Sequence, residues 1–160
     1  MSVSPLNVRW LLDPGHCLAL GFGAGLAPRA PGTFGTLVGL PLALALLLLP
    51  LQWQAVCLVG LFLLGVWVCG RTARALGVPD HGAIVWDEIV GIGIALAGLP
   101  FDWRLVLAGF LLFRLLDILK PWPIGWLDRR VHGGLGIMLD DALAGAVAAL
   151  LLHAGAFWLL

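Results

Sequence analysis

Trp53–Cys69 reads WQAVCLVGLFLLGVWVC, a run without one charged side chain. A run of this length and hydrophobicity is a buried core helix or a membrane segment. Its surroundings decide between the two. Working outward, four more apolar stretches cover about Thr36–Leu51, Ile84–Leu99, Leu105–Leu119 and Gly136–Leu160. The 160-residue chain is 61% hydrophobic and 11% charged, against about 45–50% and about 25% in a soluble domain. Too few polar side chains remain to cover a water-facing surface, so the sequence predicts a membrane protein. One domain, residues 1–160, is the natural expectation at this length.

The expected fold class is all-α: a compact polytopic helix bundle with four or five short spanning helices. Most of the stretches fall short of the roughly 20 residues that cross a bilayer. The third is rich in small residues (Gly91, Gly93, Ala95, Ala97, Gly98), which suit close helix packing in lipid. Pro50-Leu51-Gln52-Trp53 and Pro100-Phe101-Asp102-Trp103 read as tight turns with interfacial tryptophans. Met1–Gly35, Arg71–Asp87 and Lys120–Gly136 are long and hold nearly all the ionisable residues. Alternation puts these three on one side. Charge agrees: Arg9, Arg29, Arg71, Arg74, Lys120, Arg129 and Arg130 fall there, and Arg104 on the other. The positive-inside rule makes that side cytoplasmic.

Formal net charge is zero, which argues against a nucleic-acid partner. Cys17, Cys57 and Cys69 are scattered within apolar runs and read as small buried hydrophobes. The N-terminal residues lack a charged region before a short apolar run, so no removable signal peptide is expected. The polar inventory is short: Glu88 is the only Glu, Lys120 the only Lys, and Tyr is absent.

Four segments carry chemistry. GFGAGLAPRAPGTFGT (Gly21–Thr36) leads directly into an apolar helix. Glycines let backbone N–H groups approach an anion, and a helix N-terminus favours phosphate. Thr33 and Thr36 would add hydroxyls or cap the helix. In the second segment Asp87 and Glu88 start an apolar helix. Acidic residues in a first turn complement the dipole, but two carboxylates entering a hydrophobic segment are costlier than that role needs. Neighbouring helix positions diverge by about 100°, so Glu88 is expected to ligate a metal while Asp87 supports it. In the third, Arg114, Asp117 and Lys120 recur every three residues along one helix face. In the fourth, Asp128 and His132 precede a Gly-rich break, and Asp140 and Asp141 open the last helix.

All four segments reach the same membrane face. Oxygen-only ligands suit a hard cation such as magnesium, which binds through a few carboxylates plus substrate phosphate. That combination reads as metal-assisted phosphoryl chemistry on a lipid phosphate. Other phosphatase designs are absent. No Cys-x5-Arg exists, since Gly23, Leu63 and Ala75 stand six residues after the cysteines, and there is no Ser-Gly-His triplet or Asp-x-Asp strand motif.

Three blocks in order, GFGAGLAPRAPGTFGTL (21–37), DHGAIVWDEIVGIGIAL (80–96) and FRLLDILKPWPIGWLDRRVHGGLGIMLDDALAG (113–145), resemble the phosphatidylglycerophosphatase A family. The resemblance implies a multi-pass protein of the bacterial inner membrane that converts phosphatidylglycerophosphate to phosphatidylglycerol with magnesium. Within that frame the residues are read as follows. Glu88, Asp117, Asp140 and Asp141 form the metal site, with Asp87 supporting it. Thr33, Thr36, Lys120 and Arg129 hold the phosphate oxygens. An activated water attacks phosphorus, with Asp128 or His132 as proton acceptor. The partners expected are the lipid substrate and the bilayer itself. The main rival is a small ion-coupled transporter, which would place its polar groups near the middle of several helices.

Overall fold

The computed structural model describes residues 6–159, with side chains through 156. Residues 1–5, which begin the first long segment, and Leu160, the end of the fifth apolar stretch, lie outside the described residues. Every regular element among the described residues is helical. They are α1 (Pro14–Ala19), α2 (Pro31–Leu46), α3 (Leu51–Leu76), α4 (Trp86–Leu96), α5 (Trp103–Leu119), α6 (Ile124–Asp128) and α7 (Gly133–Leu159). Short 3-10 turns, Val8–Leu12 and Gly21–Leu26, flank α1.

The helix ends follow local chemistry. Pro31 occupies the first position of α2, where its missing N–H has no partner to lose. Gly77 ends α3 in the left-handed conformation (φ 67°) that a residue with a side chain rarely adopts. Asp102 caps α5 by accepting the Arg104 backbone N–H at 2.7 Å. Lys120 stops that helix with φ 42° directly before Pro121.

Of the expected four or five spans, α3 and the stretch Gly133–Ala156 of α7 are long and apolar enough to cross a membrane. The third apolar stretch becomes an 11-residue helix, about 16 Å long. It is far shorter than the roughly 30 Å hydrocarbon core. α4 instead fills the middle of the bundle, packed against α2, α3, α5 and α7. Its residues join both hydrophobic cores. Ile92, Ala95 and Leu96 pack with Phe113 and Ala144, while Trp86, Ile89 and Val90 pack with Val68 and Met138. A buried helix can carry polar groups at its end because protein, rather than lipid, surrounds them.

The outward faces run opposite to those of a soluble protein. Val56, Val59, Leu63 and Trp67 form an exposed stripe on α3, and Leu107, Leu111 and Leu115 form another on α5. Inward faces are lined by small residues instead. A Cβ on Gly145 would meet the Gly91 carbonyl oxygen at 2.5 Å, so α4 and α7 cross with their backbones in contact. At the crossing of α3 and α7, a Cβ on Gly134 would overlap the Val66 carbonyl oxygen and stand 2.8 Å from the Gly70 nitrogen. Because backbone atoms block it, Gly134→Ala should lower stability by about 1–3 kcal/mol. Thermal unfolding in detergent reads that loss directly.

Candidate active site

The start of α4 is fixed before any catalytic question arises. The Val85 N–H donates to the Ala19 carbonyl at 2.9 Å, and the Trp86 indole N–H donates to the Leu61 carbonyl at 3.1 Å. These bonds hold the first turn of α4 between the N-terminal segment and α3. Asp87 and Glu88 are the next two residues. Across from them, α7 passes close enough, through Gly91 and Gly145, to bring Asp141 inward about two turns from its start.

The result is a cluster of three carboxylates. One oxygen each from Asp87, Glu88 and Asp141 lie within 4.8 Å of one another. Asp87 and Asp141 are buried, and the Glu88 side chain is 12% exposed. Oδ1 of Asp87, Oε2 of Glu88 and Oδ2 of Asp141 are buried and lack a hydrogen-bond partner among the described residues. Buried polar atoms are almost always satisfied. Converging carboxylates left unpaired repel one another, and a cation removes both costs at once. The donor set is all oxygen, which fits a hard divalent ion.

Arg114 is the second component. Its Nη1 donates to Asp117 Oδ2 at 2.5 Å and stands 3.7 Å from Glu88 Oε1. Its Nε is buried and has no partner among the described residues. The first turn of α2 closes against this pair at Gly32, where an added Cβ would overlap Glu88 Oε1 and meet Arg114 Nη2 at 3.0 Å. A side chain at 32 would push the Glu88 carboxylate and the Arg114 guanidinium aside, and this N-terminal end of α2 carries partial positive charge.

A third component adjoins the first through the chain, because Asp140 precedes Asp141. Lys120 Nζ donates to Asp140 Oδ2 at 2.5 Å and to Asp128 Oδ1 at 2.8 Å. Its ammonium thus holds α6 and α7 to the end of α5. Lys120→Gln should leave two carboxylates without their cation and lower stability by about 1–3 kcal/mol, measured by thermal unfolding.

The other residues singled out from sequence take distinct places. Asp117 pairs with Arg114 and Asp140 with Lys120, each through Oδ2, and neither is one of the three converging residues, although Asp140 Oδ1 is buried without a partner among the described residues. Asp87, expected to stand behind Glu88, contributes an oxygen beside it. Lys120 faces carboxylates because its left-handed backbone turns it off the face that Arg114 and Asp117 share. Thr36 is buried, and its hydroxyl donates to the Gly32 carbonyl at 2.8 Å, inside its own helix. Thr33 lies half-buried in the first turn of α2, and Arg129 is exposed. Asp128 and exposed His132 border a small cavity of about 50 Å³ with Asp80. Arg114 and Gly32 were not among the residues assigned roles from sequence. The three-residue spacing to Asp117 was the available signal for Arg114.

The N-terminal segment is strapped to the same end. Arg71 makes two 2.7 Å hydrogen bonds to Asp13, holding that carboxyl well below the usual carboxylate range. His16 Nδ1 is hydrogen-bonded to the Thr72 hydroxyl at 2.8 Å.

Comparison with known proteins shows the family. The family described as Phosphatidylglycerophosphatase A matches residues 17–156. Phosphatidylglycerophosphatase A of Escherichia coli (strain K12) is 49% identical over 142 residues, covering 88% of this chain and 83% of its own. The protein of the same name from Haemophilus influenzae is 47% identical, covering 98% of both chains. A Bacteroides thetaiotaomicron protein provisionally named a phosphatidylinositol-3-phosphatase is 39% identical, covering 89% of this chain and 93% of its own. No solved structure matches. With most of its length matched, and with all three carboxylates of the cluster inside the matched region, this chain belongs to the phosphatidylglycerophosphatase A family.

Proposed function

We propose that this chain hydrolyses the terminal phosphomonoester of phosphatidylglycerophosphate, giving phosphatidylglycerol and phosphate, with magnesium held by Asp87, Glu88 and Asp141. The observation that carries the reading is the set of converging, unpartnered carboxylate oxygens beside Arg114 and the α2 N-terminus. When bound, the ion supplies Lewis-acid charge to a phosphoryl group.

The chain's own residues do the rest. Arg114 and the Gly32 N–H offset the charge of the phosphate oxygens, since Pro31 has no N–H and those of Thr33 and Phe34 donate to the Ala30 carbonyl. Thr33 adds a hydroxyl from the same turn, and Arg129 meets the headgroup from the exposed end of α6. Asp117 orients Arg114, as the 2.5 Å bond between them supports. Asp128 or His132 accepts the proton of the attacking water. Both border one cavity, and Asp128 connects through Lys120 to Asp140, the neighbour of Asp141.

In this reading α3 and α7 cross the bacterial inner membrane, and the exposed apolar faces of α2 and α5 also meet acyl chains. α4 sits inside the protein, so four helices face lipid. The carboxylate end is cytoplasmic, because Arg71, Arg74, Arg129 and Arg130 gather there. A carrier would need its buried charges near the middle of its helices, and residues 51–70 of α3 hold none.

The test is phosphate release by the purified protein from phosphatidylglycerophosphate, phosphatidic acid and phosphatidylinositol 3-phosphate. The expected result is at least about tenfold higher kcat/KM for the first. Background release from it, or faster release from phosphatidylinositol 3-phosphate, would overturn the substrate assignment.

A further inference from the structure

A lipid whose phosphate must reach buried carboxylates needs a path for its tails. Around α4 the neighbouring helices stand in the order α2, α5, α7, α3. α7 packs closely against both α5 and α3. The side between α3 and α2 is closed at the carboxylate end by the N-terminal segment. There α1 lies on α3, and residues 21–26 lie on α2, with Gly21 against Val85 and Ile89. α2 makes few contacts with either α3 or α5, and of these two seams only the first has α1 and residues 21–26 packed along it.

The α2–α5 seam holds a groove of about 370 Å³ lined by Leu37, Leu40 and Leu44 of α2, by α5 from Trp103 to Phe110, and at its far end by Phe101 of the preceding turn. Its lining is apolar, and its Leu37–Phe110 end is the one nearer the site. Arg114 stands one helical turn beyond Phe110, and Gly32 stands five residues before Leu37. The groove therefore stops about one helical turn short of the place where Gly32 meets Glu88 and Arg114.

We propose that this seam is the lateral entrance for the lipid substrate and that one acyl chain occupies the groove during hydrolysis, an inference that rests on the lipid-phosphatase reading. A chain lying there keeps its methylenes in an apolar setting while the phosphate sits at the Gly32–Arg114 end. The other acyl chain stays in the bilayer.

Two measurements test this. In the first, Leu40→Trp fills the groove away from the carboxylates. The ratio of kcat/KM for dioleoyl over dibutanoyl phosphatidylglycerophosphate should fall about tenfold or more, because buried methylenes are lost. Leu111→Trp, on the exposed lipid-facing stripe of α5, should leave that ratio unchanged. An unchanged ratio in Leu40→Trp, or equal loss on both substrates, would overturn the groove.

The second reads binding rather than turnover. Phosphatidylglycerophosphate with a photoreactive diazirine at mid-chain should label residues 37–44 and 103–110 several-fold above the exposed face of α3. Even labelling of all lipid-facing helices would overturn the proposal. Concentrated labelling without phosphate release from any lipid would retain the groove and reject the phosphatase.

Discussion

Asp141→Asn is expected to lower kcat by at least about 100-fold while raising the thermal stability of the metal-free protein. The two effects have one cause. Three buried carboxylates with oxygens within 4.8 Å of one another repel in the absence of a cation, and asparagine removes one charge while offering a donor to the others. The same change removes a ligand. Even outer partners of metal ligands cost about 10–100-fold when lost, so a direct ligand sets the lower bound above that range. A melting series separates this account from a structural role. Magnesium should raise the melting temperature of the wild type by mass action, and the gain should shrink in Asp141→Asn. Were the cluster only a support for the fold, Asp141→Asn would lower the melting temperature in chelator instead.

Arg114→Gln is expected to have the second large effect, on stability and turnover together. The side chain is 14% exposed and stands between Glu88 and Asp117. Removing it leaves two carboxylates without their cation, a loss of about 3–5 kcal/mol for a buried pair. Loss of a charged group aimed at the phosphate should lower kcat/KM by about 10²–10³-fold. Arg114→Lys distinguishes the two contributions. It keeps the charge but not the planar fork, so it should recover most of the stability and little of the activity. Full recovery of activity by lysine would limit Arg114 to neutralising its neighbours.

How much of this was legible in the sequence varies with the physics involved. The helices were legible as apolar runs but their ends were not, since α2 begins at Pro31, five residues before the run at Thr36, and α3 continues past Cys69 to Leu76. Nor was the length of α4. Its apolar run continues through Ala97, Gly98 and Leu99, but Gly98 adopts φ 74° and ends the helix early. That the acidic residues gather at one end followed from alternation and charge. Their pairing did not follow, because it depends on single backbone angles and on close crossings. Spacing placed Lys120 on the face of Arg114 and Asp117 only if the helix continued. Its left-handed conformation sends the ammonium to Asp128 and Asp140 instead. Divergence of adjacent helix positions separated Asp87 from Glu88, yet an oxygen of each lies within 4.8 Å of one from Asp141, on the helix that crosses α4 at the Gly91–Gly145 contact. Gly32 was visible only as one glycine among many. Its role appears when Glu88 and Arg114, distant in sequence, fill the space a side chain would take.

The central claim is that the Asp87, Glu88 and Asp141 carboxylates hold a cation for phosphomonoester hydrolysis. Its most direct test is phosphate release from phosphatidylglycerophosphate by chelator-treated protein as magnesium is restored, with Glu88→Gln run beside the wild type. The account predicts saturable, magnesium-dependent release by the wild type and background release by a folded Glu88→Gln at every concentration. Release by the wild type that ignores magnesium, or near-normal turnover by Glu88→Gln, would contradict it.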